Sequence, residues 1–196
     1  ASDPRGYALS ELEVYGRGGL RAIPQPPLPF GNEPRWSLTR NAWRLERASE
    51  VRVSGVQLSQ VGIPDQSWLP ATVPGTVLAS YVNAGAVPEP GLADNILMIS
   101  DSYFYSGFWY RGEFDLPSNL RGQKLWLQFD GVNWKADVYF NGKHLGTING
   151  AFKRHRFDVT GIARANQRNA LAVLVHKVDH PGSVKEKTFQ RPGKNG

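Results

Sequence analysis

The chain has 196 residues, 40% of them hydrophobic and 11% aromatic, which excludes a disordered chain and suffices for one large domain or one domain with pieces of its neighbours. It contains no cysteine, so disulfides and thiolate chemistry are excluded, and no apolar run approaches the roughly 20 residues of a membrane span. The net charge of +6 includes a basic stretch at residues 153–156, which we interpret as a solvated surface and not as a nucleic-acid footprint.

The first 35 residues do not have the pattern of a complete domain. Residues 7–16 (Tyr-Ala-Leu-Ser-Glu-Leu-Glu-Val-Tyr-Gly) predict a single strand, which cannot bury an apolar face alone. This short sequence resembles the closing strand of a discoidin-type carbohydrate-binding module, which implies that residues 1–18 are the C-terminal strand of a truncated upstream module. Residues 19–35 are proline-rich and aperiodic, so they are predicted to form an interdomain linker.

Residues 36–180 are predicted to form the one complete domain, and residues 181–196 to begin a connection to a downstream part. Residues 43–47 alternate and predict its first strand. Thr76 can act as an N-cap, and Gly85 stands where a C-terminal glycine is expected. Between them four apolar residues recur at helical spacing, which predicts the one convincing helix: Val77, Leu78, Tyr81 and Val82.

Residues 86–108 are predicted to form a long loop. They are rich in proline, glycine, aspartate and asparagine, and loops of this length within a compact domain are usually functional or disordered. The aromatic residues between 103 and 108 argue against disorder. We therefore expect the loop to be functional.

A run of strands follows the loop, at residues 109–116, 124–131, 136–140, 155–159 and 169–176. In the third strand Ala136, Val138 and Phe140 alternate with polar positions, and an Asn-Gly dipeptide at 141–142 predicts a type I′ hairpin turn. The last strand is continuously apolar, which suits a central strand covered on both faces. Short strands at regular spacing predict an all-β protein, an antiparallel jelly-roll β-sandwich.

From residue 43 onward the chain resembles the N-terminal sugar-binding jelly-roll domain of glycoside hydrolase family 2, a galactose-binding-domain-like fold. The matching segments, in the family's order, are Trp-Leu-Pro-Ala-Thr-Val-Pro-Gly-Thr (68–76), Pro-Glu-Pro to Asp-Asn (88–95), Phe-Trp-Tyr-Arg-Gly-Glu-Phe (108–114), Phe-Asp-Gly-Val (129–132), Ala-Asp-Val-Tyr-Phe-Asn-Gly (136–142), Phe-Asp-Val-Thr (157–160) and Asn-Ala-Leu-Ala-Val (169–173). The tail at 180–187 is most similar to the branch of β-mannosidases, exo-β-glucosaminidases and endo-β-mannosidases.

The resemblance implies a retaining β-glycosidase whose two catalytic glutamates lie on a (β/α)₈ barrel downstream of this chain. No catalytic residue is therefore expected here, and the chain alone is expected to lack hydrolytic activity. The implied partners are carbohydrate, as β-mannoside or β-glucosaminide glycans, and the downstream barrel of the same polypeptide, with neither nucleic acid nor membrane. The implied location is secreted or periplasmic, in a bacterium.

Four residues are the predicted substrate contacts. In the family the loop before the Trp-Tyr-Arg strand reaches the sugar site, which implies roles for Asp94 and Asn95, whose carboxylate and amide can each bond two hydroxyls. The alternative is that both cap the loop backbone. Trp109 can stack on a sugar or pack in the core, and we favour packing. Trp134, before the hairpin strand, can be a sugar platform or a contact to the barrel.

No metal site or cofactor is predicted. The four histidines show no ligand spacing, and Asp137 is interpreted as part of a surface ion pair beside Lys135 and Tyr139. Two other functions remain as alternatives to an accessory domain. An autonomous carbohydrate-binding module would bind sugar in isolation, and a nucleic-acid-binding protein would show salt-dependent binding.

Overall fold

The computed structural model describes residues 36–39 and 41–178. The predicted upstream strand (within 1–18), the linker (19–35) and the downstream connection (181–196) lie outside the described residues, so these domain boundaries stay predictions. The strands are β1 (Trp43–Arg47), β2 (Leu69–Ala71), β3 (Phe108–Asp115), β4 (Trp126–Phe129), β5 (Lys135–Phe140), β6 (Lys143–Asn149), β7 (His155–Asp158) and β8 (Arg168–Val175). The helices are α1 (Gly55–Leu58), α2 (Val77–Asn83) and α3 (Asn95–Met98), with 3₁₀ turns at Ala48–Glu50, Asp101–Phe104 and Ser118–Leu120.

Two antiparallel sheets form the predicted β-sandwich. The larger has the order β2-β1-β3-β8-β5-β6, and the smaller pairs β4 with β7. Their facing sides share one core, in which the large sheet's Phe140 and Phe114 rings stack at 6.1 Å. From the small sheet, Leu127 joins this core and Phe157 packs against it. The fold expectation is therefore confirmed.

Strand β8 occupies the central position that its apolar run predicted. It lies between β3 and β5, and its residues 169–173 are all buried. Leu171 and Val173 enter the core between the two sheets. Ala172 packs with Leu58 and Trp109 on the opposite face, which is covered by the segment around α1.

The hairpin of β5 and β6 matches its prediction. Ala136, Val138 and Phe140 are buried in alternation, and Asn141 and Gly142 both adopt positive φ, at 47° and 82°. The Asn141 amide does more than permit the turn. Its Nδ2 donates to the Asn169 Oδ1 at 2.7 Å, and its Oδ1 accepts from the Ala170 backbone N–H at 3.0 Å. The turn is therefore fastened to the start of β8.

The predicted helix is present as α2, where the Thr76 hydroxyl accepts a hydrogen bond from the Ala79 backbone N–H. The structure adds two one-turn helices, α1 and α3, which are too short to produce a helical period in the sequence. The start of α1 is a capping box formed by Ser54 and Gln57. This pair was the only local signal for that helix.

Candidate functional site

The long loop, defined here as residues 86–107, is held in place by packing beneath it. Val87 and Ile99 are buried. The Tyr81 ring of α2 lies 5.9 Å from the Tyr103 ring and 6.1 Å from the Phe104 ring, in tilted and edge-on geometry. The aromatic residues of the loop therefore pack against α2.

The outward side of the long loop is unusually apolar. Five of its large side chains are exposed, by between 39% and 69% of their surface: Leu92, Ile96, Met98, Tyr103 and Tyr105. Single exposed apolar residues are ordinary, whereas several on one segment mark an interaction surface. The sequence predicted that the loop is functional but did not show which of its apolar residues face outward.

Asp94 and Asn95 lie together at the start of α3, and their side chains have different partners. The Asn95 Nδ2 donates to the Glu89 carbonyl at 2.9 Å, which is the backbone-capping role that the sequence left open. The Asp94 side chain is exposed and makes no cap hydrogen bond, although Asp94 is the N-cap residue. Among the described residues, Asp94 thus presents a carboxylate with its acceptor oxygens available to a ligand.

Trp134 is half-buried beside the turn that follows β6. Its carbonyl accepts a hydrogen bond from the Gly150 backbone N–H at 2.8 Å, and its indole Nε1 is buried without a partner among the described residues. Phe152, in the same turn, is 79% exposed at a φ of 59°. A bulky side chain held outward at positive φ is uncommon, and it marks this turn as a second candidate contact surface.

Trp109 lies on the face of the large sheet that α1 covers. It is 6% exposed, packs with Leu58 and Ala172, and its ring lies 5.7 Å from the Tyr139 ring. The burial agrees with the packing role that we favoured for Trp109. It leaves almost no indole surface for stacking on a sugar.

Asp137, for which the sequence predicted a surface ion pair without naming its partner, contacts two histidines. Its Oδ2 lies 2.8 Å from the His176 Nε2, and its Oδ1 accepts from the Thr147 hydroxyl at 2.5 Å and lies 3.6 Å from the His144 Nε2. Burial alone would raise the pKa of Asp137, but the hydrogen bonds from Thr147 and His176 and the charges of both histidines outweigh it. The pKa of Asp137 is therefore lowered.

Replacing Asp137 with asparagine is expected to lower the free energy of unfolding by about 1–2 kcal/mol near neutral pH, because charge-assisted hydrogen bonds weaken. Since folding lowers this carboxyl's pKa, its contribution is fully present above the ordinary value of 3.8 and is lost as the pH falls through the lowered folded value. Denaturant unfolding of both proteins from about pH 5 to about pH 2 should show the difference shrinking. A difference that stays constant over this range would contradict the assignment.

The described residues contain no group of three or more histidine, aspartate or glutamate side chains placed to hold a metal ion. None of the helices in this part of the chain is long and apolar enough to cross a membrane.

Comparison with known proteins places these features in a family. Residues 43–194 match the family model described as glycosyl hydrolase 2 galactose-binding domain-like. The chain is 38% identical over 151 residues to a mannosylglycoprotein endo-β-mannosidase of Lilium longiflorum, covering 74% of this chain and 16% of that protein. It is 29% identical over 161 residues to an exo-β-D-glucosaminidase of Streptomyces avermitilis, covering 80% of this chain and 18% of the relative.

A solved structure gives the same fold. The crystal structure of the Amycolatopsis orientalis exo-chitosanase CsxA superposes with a TM-score of 0.63 at 26% identity, covering 70% of this chain and 16% of that one. The chain thus spans less than a fifth of the length of each of these three relatives.

Proposed function

Because this chain belongs to the glycosyl hydrolase 2 galactose-binding-domain-like family, we propose that it is the non-catalytic sugar-binding and scaffold domain of a longer, exported retaining β-glycosidase. The long loop would supply contacts to the sugar, with Asp94 as the principal one. The observation that carries this proposal is the exposed Asp94 carboxylate, which makes no cap hydrogen bond. Asp94 lies within the residues that match the family model.

The chemistry of the described residues fits a supporting role. Retaining hydrolysis needs two carboxyl groups about 5–5.5 Å apart, one as acid/base and one as nucleophile. Asp65 and Glu113 both pair with the buried guanidinium of Arg111. These two carboxylates serve the ion pair with Arg111, which fastens the α1 segment to β3. We assign the reaction to a (β/α)₈ barrel elsewhere in the polypeptide.

The barrel is also the partner that we propose for the loop's apolar side. Leu92, Ile96 and Met98 are exposed on the isolated domain, and a domain interface would remove them from water. Burying them beside Asp94 would place the carboxylate at the edge of that interface, where a sugar held by the barrel could reach it. Two relatives are named for β-mannosidic and β-glucosaminidic activities, which supports a β-mannoside or β-glucosaminide as the substrate.

The chain alone is expected to show no turnover of nitrophenyl β-mannoside or nitrophenyl β-glucosaminide above a buffer blank. A non-catalytic domain lacks the acid and the nucleophile that the reaction requires. Nitrophenol release that persists at constant specific activity through repeated purification would overturn this assignment.

A further inference from the structure

The outer face of the small sheet carries a pattern that the long loop does not explain. On β4, Trp126 and Gln128 point away from the core, and their cross-strand partners on β7 are Asp158 and Arg156. Trp126 is 49% exposed, and Asp158 and Arg156 are also exposed. The basic stretch noted in the sequence at 153–156 thus continues into β7, and we name this surface the β4–β7 face.

Trp126 is held in a defined orientation on this face. The Lys124 ammonium lies 5.0 Å from the centroid of its ring, within range of a cation–π contact, while about half of the side chain's surface stays open. A flat indole held at the end of an open two-stranded sheet is a suitable surface for the apolar C–H side of a pyranose ring. Such an aromatic surface loses little conformational entropy on binding.

The polar groups beside the indole are also held in place. The Gln128 side chain accepts from the Arg156 Nε at 2.6 Å and donates to the Asp130 Oδ1 at 2.6 Å, and Arg154 Nε lies 3.4 Å from the same oxygen. This row fixes the direction of each donor and acceptor before any ligand arrives. Preorganised polar groups beside an aromatic surface reduce the ordering cost of binding.

The charges on the β4–β7 face favour a neutral ligand that can both donate and accept hydrogen bonds. The cations of Lys124, Arg154 and Arg156 lie on the same face as the carboxylates of Asp130 and Asp158, so the face carries both donors and acceptors and little net charge. The Asp158 Oδ1 also accepts from the Thr160 backbone N–H at 3.0 Å. Hydroxyl groups both donate and accept, whereas the phosphates of a nucleic acid would meet two carboxylates. We propose that the β4–β7 face binds neutral β-linked oligosaccharides, with one pyranose stacked on Trp126 and hydroxyls bonded to Asp158 and along the row of Gln128, Arg156 and Asp130.

This face would act independently of the long loop. In our proposal the loop shares its site with the barrel, whereas all the groups of the β4–β7 face lie within the described residues. The choice of β-linked sugars rests on the proposed function, but the stacking surface and the polar row do not. A domain with such a face would hold polymeric substrate near the catalytic barrel, which raises the local substrate concentration.

The test is a titration of the isotope-labelled chain with mannotetraose and cellotetraose, observed at the indole N–H resonances of its six tryptophans. We expect saturable shifts of the Trp126 resonance at millimolar sugar, and Trp126→Ala should weaken binding by about tenfold or more. Gln128→Ala should weaken it by a smaller factor. Trp36→Ala is the matched control, since Trp36 is a 56% exposed tryptophan outside this face, and it should leave binding unchanged.

Three outcomes would overturn the proposal. The first is the absence of any shift of the Trp126 resonance up to saturating sugar. The second is binding that survives Trp126→Ala but is lost in Asp94→Ala, which would assign sugar binding by the isolated chain to the long loop. The third is tighter, salt-dependent binding of an oligothymidine at the same resonance, which would assign the face to nucleic acid. None of these outcomes depends on the hydrolysis assay above, so the two proposals can fail separately.

Discussion

Arg111→Met is expected to lower the free energy of unfolding by about 3–5 kcal/mol, because it leaves a set of acceptors buried without their donor. The Arg111 side chain is almost fully buried on the face of the large sheet covered by α1. Its Nε donates to the Leu58 carbonyl at 2.8 Å and its Nη2 to the Gln60 carbonyl at 2.9 Å. The guanidinium also pairs with the carboxylates of Asp65 and Glu113. One side chain therefore fastens the whole α1 segment to β3.

Denaturant unfolding monitored by tryptophan fluorescence measures this loss. Methionine keeps much of the length of the side chain, so the variant removes charge and hydrogen bonds with little change in packing. Arg168→Met is the matched control, since Arg168 pairs with Asp115 at 3.2 Å and both side chains are more than half exposed. That control should change stability by less than about 1 kcal/mol. Equal effects in the two variants would contradict the role assigned to Arg111.

Arg111→Lys separates the charge from the hydrogen bonds. Lysine keeps a positive charge near Asp65 and Glu113, but a single ammonium cannot reproduce the planar fork that also reaches the carbonyls of Leu58 and Gln60. We expect a loss of stability between those of Arg168→Met and Arg111→Met. A lysine variant as stable as the parent would show that charge alone accounts for the contribution.

Local patterns in the sequence predicted most of the strands because their periods are short. The alternation of Ala136, Val138 and Phe140 fixes which side of β5 is buried, and the Asn-Gly dipeptide at 141–142 fixes the turn after it. The continuous apolar run of β8 predicted a central strand, because a strand that is covered on both faces has apolar residues at successive positions. Each of these features depends on neighbouring residues, so no knowledge of distant contacts was needed.

Features that depend on distant contacts were not predictable in this way. Arg111 meets Leu58 and Asp65 across separations of 53 and 46 residues, and nothing near Arg111 in the chain indicates burial. The same applies to Asp137, for which the sequence predicted an ion pair but did not identify its partner His176, 39 residues away. Such pairs depend on the order of the strands in the sheet, which no local pattern in the sequence specifies.

The separate roles of Asp94 and Asn95 in the candidate site were also not predictable from the neighbouring sequence. Asp94 and Asn95 are adjacent polar residues, and the sequence offered both a sugar-binding and a capping role for each. Which residue caps the loop depends on the position of the Glu89 carbonyl, which only the folded loop defines. The structure gives the capping contact to Asn95 and leaves the Asp94 carboxylate without a cap hydrogen bond. That difference allows the two residues to be tested separately.

In the complete polypeptide that carries this domain, Asp94→Ala is therefore expected to lower kcat/KM for the β-glycoside by about tenfold to hundredfold. A lost hydrogen bond to a charged group is worth about 1.5–3 kcal/mol, and each 1.4 kcal/mol changes the rate about tenfold. The thermal stability of the domain should not change, because Asp94 is exposed and makes no cap hydrogen bond. Asn95→Ala should instead reduce stability as well as activity, since it removes the bond to Glu89.

The most direct test of whether the long loop contacts the substrate is to measure kcat/KM for Asp94→Ala and for the control Asp115→Ala. Asp115 is a suitable control because its side chain is 62% exposed and pairs with Arg168. We predict a loss of about tenfold or more for Asp94→Ala and a change of less than about twofold for Asp115→Ala, with unfolding transitions unchanged in both. If Asp94→Ala turns over the β-glycoside as efficiently as Asp115→Ala does, the loop does not contact the sugar through Asp94 and the central claim is contradicted.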